Sequence, residues 1–181
     1  MAVKHLTPDL FHRLFERNPL EMRLCPQEAY DPDLTVQIAN LKLVDGSDAP
    51  RPLIASLHLL NDDVKAAHSI AENMYDNGIY EADYQHGISH IRDADYGNSR
   101  WWFRRLTHMA HPVLSETFLS KPAEAAVMKE AGQAAKLFVD ACQQVGQGTS
   151  PEHRLEQELY RQMKAIAEWS VQEYVVKKRQ R

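Results

Sequence analysis

Apolar residues in this chain recur at helical rather than strand spacing over much of its length. That periodicity restricts the available folds more than any other feature. Ala66, Ala67, Ile70, Ala71 and Met74 form one stripe at three- and four-residue intervals. Val127, Ala131, Ala134, Phe138, Cys142 and Val145 form a second, and Leu155, Leu159, Met163, Ile166 and Tyr174 a third. Stripes of this period turn one face of a helix to a core and leave the other in water. Alternating Val/Ile/Thr runs are scarce and only 7 of the 181 residues are Gly, so the expected class is all-α.

Punctuation residues divide the chain. Thr7-Pro8 opens a first helix, with Thr7 as cap and Pro8 at the first helical position, and Asn18-Pro19 stops it. Five prolines break residues 19–52 into a Pro-rich irregular segment, in which Asp33 to Val44 reads as a helix or a strand. Residues 53–112 read as repeat-like helix pairs. These are Pro52 to Leu60 with Asp63 to Tyr75, then Tyr80 to Arg92 with Tyr96 to Thr107, the last ending before His111-Pro112. Long helices fill 122–178, the first from Pro122 to Val145 and the second opened by a Thr149/Glu152 capping box. The whole, 1–181, is expected to be one domain.

Several classes are excluded. A formal net charge of -4 argues against nucleic-acid binding, which needs many cations to displace phosphate counterions. No run of about 18 apolar residues exists to span a membrane. Two cysteines, Cys25 and Cys142, are too few for a disulfide scaffold, and the N-terminal residues lack the apolar stretch of a signal peptide. The expected setting is cytoplasmic.

Sliding the centre against itself by about 33 residues superposes Ala66 on Ser99, Ile70 on Phe103 and Leu57 on His90. In the second copy Gly87 and Ser99 occupy small positions, Tyr96 opens the second helix, Phe103 fills the groove and Pro112 follows. This copy resembles a tetratricopeptide repeat, departing from it at His90, where a large aromatic is usual. The resemblance implies antiparallel helix pairs in the centre, braced by two long C-terminal helices. The run from His86 to Arg105 is also similar to a signature of uncharacterised bacterial and fungal proteins, H-x-x-x-H-R-x-E-G-D-x-x-N-A-x-Y-W-x-R-R. It differs over Ile91-Arg92-Asp93-Ala94 and at Ser99, and it implies a fold without implying a function.

Chemistry-bearing residues concentrate in the same run. His86, His90 and Asp93, at i, i+4 and i+7, share one helical face and have the spacing of ligands for a divalent transition metal, with His58 or His68 as a further donor. The competing reading is a buried polar network. Arg100, Trp101, Trp102, Arg104 and Arg105 place guanidinium forks beside indoles, which suits a carboxylate or phosphate compound. A solvated face paired with acids is the alternative. No nucleophile elbow, Gly-rich phosphate loop or cofactor motif is present.

These features lead to the expectation of a helical binding or scaffold protein. Its pocket, lined by His86, His90, Arg92, Trp101, Arg104 and Arg105, would take an anionic small molecule or peptide. A metal-dependent hydrolase or lyase using His86, His90 and Asp93 is the second reading. A homo-oligomer formed through an exposed apolar stripe on the last helix is the third.

Overall fold

The computed structural model describes residues 5–145 and 153–177, and their regular secondary structure is helical, with no strands among them. Nine α-helices occur among them: α1 (Pro8–Phe15), α2 (Pro32–Ala39), α3 (Arg51–Leu60), α4 (Val64–Glu72), α5 (Glu81–Arg92), α6 (Tyr96–His108), α7 (Pro112–Phe118), α8 (Ala125–Val145) and α9 (His153–Val171). The only extended pairing among the described residues is an isolated bridge between Lys42 and Asp48. None of these helices is long and apolar enough to cross a membrane.

Local chemistry fixes most helix starts. The Thr7 hydroxyl accepts from the Leu10 amide, and Pro8 needs no amide partner at its position. Asp31, Asp63 and Asp95 cap α2, α4 and α6 by accepting from the amides of Asp33, Ala66 and Asn98. The 19–52 segment is more ordered than expected, holding α2 and a one-turn 3-10 helix at Pro19–Glu21. The α2 helix ends at Ala39 rather than reaching Val44. Asn40 caps it, and the Asp45-Gly46-Ser47 turn, with Gly46 at φ 84°, folds the chain back to the Lys42–Asp48 bridge.

The second pair ends at His108, before His111-Pro112 as expected, and Pro112 then opens a further helix, α7, with the His111 ring accepting from the Val113 amide. One other boundary differs from expectation, since the helix read from Pro122 starts only at Ala125. The Thr149/Glu152 capping box and the tail beyond Lys177 lie outside the described residues.

At the centre sits α5, which touches α3, α4, α6, α7, α8 and α9. All twelve of its residues are buried although most are polar. Such a helix holds only if its side chains find internal partners. Glu81 accepts from the Trp169 indole at 2.8 Å and the Tyr174 hydroxyl at 2.8 Å. Tyr84 donates to Gln162, and Gln85 donates to the Pro52 carbonyl at 2.6 Å and the Ser56 hydroxyl at 2.9 Å. Ser99 on α6 donates to the Gly87 carbonyl at 2.8 Å, closing the α5–α6 contact.

The stripe on α9 is not exposed. Leu159, Met163 and Ile166 are buried against the chain's own core, because α9 packs on α3, α5 and α7. The surface expected to pair with another copy is therefore already covered.

The turn from α5 to α6 passes through Ala94 at φ 65°, a left-handed conformation that disfavours a Cβ. Ala94 stands where the signature described above has Gly. Ala94→Gly is expected to stabilise the fold by about 0.5–1 kcal/mol, the relief of backbone strain exceeding the added chain entropy. Thermal unfolding of the two proteins at one pH checks the sign.

Candidate functional site

The fold separates the expected site residues onto two sides of α6. One side forms a cleft of about 380 Å³ against α4 and α5. His86 and His90 reach it from successive turns of α5, His68 enters from α4, and Trp101 and Trp102 form a wall from α6. The rings are close together. The His68 ring centre lies 5.0 Å from that of His86 and 4.8 Å from that of His90. His86 stacks on Trp102 at 4.1 Å with the planes 8° apart, and Trp101, half in solvent, meets the Trp102 face edge-on.

Each imidazole has a defined environment. His86 Nδ1 lies 3.0 Å from the Ala82 carbonyl, which can only accept, so that nitrogen carries the proton and Nε2 keeps a lone pair. His68 Nε2 and His90 Nε2 are 3.4 Å apart. His90 Nδ1 is buried without a hydrogen-bond partner, 3.6 Å from an Asp93 carboxylate oxygen and 3.9 Å from one of Asp95. Burial pushes the pKa of His86 down to about 4, and the neighbouring His68 adds to the effect. Burial also lowers the pKa of His90, although Asp93 and Asp95 pull the other way.

For His86 the sign of the linkage is clear. A histidine with its folded pKa depressed contributes stability above the unfolded value near 6.5, and loses it as pH falls toward about 4. Asp83 acts oppositely. Burial raises its carboxyl to about 6 from 3.8, so its contribution is present at low pH and is lost as pH rises through 6. His86→Gln should therefore lose less thermal stability between pH 7.5 and 4.5 than the parent does. Calorimetry at the two pH values measures this difference.

The other face of α6 forms a groove of about 560 Å³ with α8. Phe103, Ala110, Ala125, Met128 and Gly132 give it an apolar floor. Its rim carries Arg100, Arg104, His108, Lys129 and Lys136, with no acidic side chain in the lining. Arg100 and Lys136 are held by Asp140, at 2.8 and 2.7 Å. Arg104, His108 and Lys129 have no ion-pair partner among the described residues. By contrast, the imidazole cleft is lined by Glu72 and by no lysine or arginine.

The six residues expected to line one pocket are thus not brought together. His86, His90 and Trp101 share the cleft, while Trp101, Arg104 and Arg105 line a separate hollow of about 360 Å³ with His108 and Met109, and Arg104 also reaches the groove. Arg105 is held in place, its Nε 2.8 Å from Asp83, its Nη1 donating to the Tyr75 hydroxyl at 2.7 Å. Arg92 is sealed in the interior, paired with Asp62 and donating to the carbonyls of Leu59 and Arg23. No three His, Cys, Asp or Glu side chains among the described residues stand as a metal-ligand group, so His86, His90 and Asp93 do not form the expected set as placed. The position of Asp93 is consistent with this, since it accepts from the Asp95 amide and faces His90 Nδ1 rather than the cleft nitrogens.

Residues of α8 were missing from the expectation. Lys129 and Gly132 lie more than twenty positions along the chain from Arg104, and nothing local links them to it. His68 had a sequence signal, being a third histidine on the neighbouring helix. No protein-family model, curated protein or solved structure matches the chain.

Proposed function

We propose that this is a binding protein for a small amphiphilic anion, held in the α6–α8 groove with its acidic group on Arg104 and Lys129 and its apolar part over Phe103 and Met128. One observation carries the reading. In a chain of net charge -4, an apolar hollow is rimmed by unpaired cations and lined by no acid. Burial of a ligand's hydrocarbon supplies affinity in such a hollow, and a guanidinium fork orients a carboxylate or phosphate. The two unpaired cations stand on different helices, so an anion between them satisfies both. The groove's volume is within the usual range for small-molecule sites.

Titration calorimetry with dodecanoate tests the reading. Saturable binding is expected, weakened at least about tenfold in the double variant Arg104→Glu/Lys129→Glu, a change of about 1.4 kcal/mol or more. Both side chains are exposed, so the variant should keep its fold. Equal affinity for uncharged dodecanol, or unchanged dodecanoate affinity in the double variant, would overturn it.

A further inference from the structure

The groove has a neighbour across the outer face of α6. The hollow of about 360 Å³ between Trp101 and Met109 shares two lining residues with it, Arg104 and His108. From this shared boundary we infer that the ligand is a two-armed anion of the phosphodiester class, with its charged group on Arg104, one apolar arm in the groove and the other in the hollow. The inference rests on the groove reading above and specifies the ligand of that site.

Helix geometry creates the boundary. At about 100° per residue, Arg104 and His108, four positions apart, form one line along α6. Trp101, Arg105 and Met109 fall to one side of that line, and Arg100, Phe103 and Thr107 to the other. The line is therefore a ridge with a hollow on each flank. No acidic side chain lines either flank, so an anion on the ridge meets no like charge there.

The outer flank is apolar and uncovered. Trp101 is 41% exposed and Met109 47%. A single exposed apolar side chain is ordinary, but two in one hollow beside an arginine make a surface that an apolar group with an adjoining charge would cover. Of the two arginines there, Arg105 is already engaged. Its Nε lies 2.8 Å from Asp83, its Nη1 donates to the Tyr75 hydroxyl, and its guanidinium sits 4.5 Å from the centre of the Tyr75 ring. Arg104 is the anchor left for a ligand, and it is the one that faces both hollows.

The head group follows from this placement. A straight-chain carboxylate carries one substituent, so it fills one flank and leaves Trp101 and Met109 in water. A phosphodiester carries two. Its two non-ester oxygens share the negative charge and match a guanidinium fork. Its two ester oxygens leave the tetrahedral phosphorus in different directions, which sends one arm down each side of the ridge. Each arm then adds affinity with the apolar area it buries.

The experiment compares dihexyl phosphate with hexyl methyl phosphate by titration calorimetry on the full-length protein, below the concentrations at which either aggregates. The two share a head group and a charge and differ in one arm. The second hexyl arm is expected to tighten binding at least about tenfold, less than full burial of five methylenes would give. The double variant Trp101→Ala/Met109→Ala should lose most of that gain while binding dodecanoate as the parent does. Both side chains are exposed, and circular dichroism checks that the variant keeps its helices. With dodecanoate bound, a smaller gain in the parent, or a gain that the double variant retains, would overturn the inference and leave the groove reading standing. Failure of dodecanoate to bind the parent would remove both.

Discussion

Asp62→Asn is expected to lower the stability of this protein by about 3–5 kcal/mol, enough to unfold a marginal domain at moderate temperature. Asp62 is the shared counter-ion of two buried guanidinium groups. Arg17 Nη2 lies 2.7 Å from one carboxylate oxygen, and Arg92 Nη2 contacts the other. Both arginine side chains are essentially sealed from solvent. Other Nη protons go to backbone carbonyls, Arg17 to Leu60 and Glu21 and Arg92 to Leu59 and Arg23, Arg92 also meeting the Met163 sulfur, while both Nε–H groups are buried without a partner. The carbonyl end of a helix favours cations, but two full charges without a carboxylate remain uncompensated. Asparagine is the informative replacement. Asp62 sits at φ 58°, a conformation asparagine tolerates, so the loss isolates charge from backbone strain. Urea unfolding of both proteins gives the difference directly, and a loss below about 1 kcal/mol would contradict the account of this cluster.

The second large effect is expected at Gly87. A methyl group there would stand 2.8 Å from the nearest carbon of the Phe103 ring. That ring is buried, with Tyr84 and Phe118 edge-on to it at 5.4 and 5.6 Å. These neighbours limit its retreat to the side that borders the α6–α8 groove. Alanine in mid-helix would ordinarily gain about 1 kcal/mol over glycine. Here the overpacking, commonly about 1–3 kcal/mol, outweighs the gain, and Gly87→Ala is expected to destabilise by about 1–2 kcal/mol. Pairing it with Phe103→Leu should recover part of the loss, so the two substitutions are non-additive. Strict additivity in a double-mutant cycle would mean that the α5–α6 contact is not what fixes position 87.

The small residues at 87 and 99 were legible in the sequence because close helix approach needs small side chains. So was the α-helical class, because the apolar period is a local property. The Thr7 cap belongs to the same legible set. The short α7 was missed for a physical reason: a proline that follows one helix can also open the next, and only packing decides whether it does. The α5 helix hid its burial because Glu81, Asp83, Gln85, His86 and Arg92 are polar, and their partners come from α3, α6, α9 and the loops. Arg92 was misleading in the same way. Its neighbours in sequence suggest a ligand site, whereas its partner Asp62 lies thirty positions away. The site divided because residues two apart on α6, Trp102 and Arg104, point to nearly opposite sides of that helix, toward the cleft with α4 and the groove with α8 respectively.

That sorting of charge across α6 is the account's central claim, and amide chemical shifts of a single labelled sample test it. Dodecanoate should move the signals of Thr107, Met128, Lys129 and Gly132 while leaving those of His68 and His86 in place. Shifts centred on the histidines, or none at saturating dodecanoate, would contradict it.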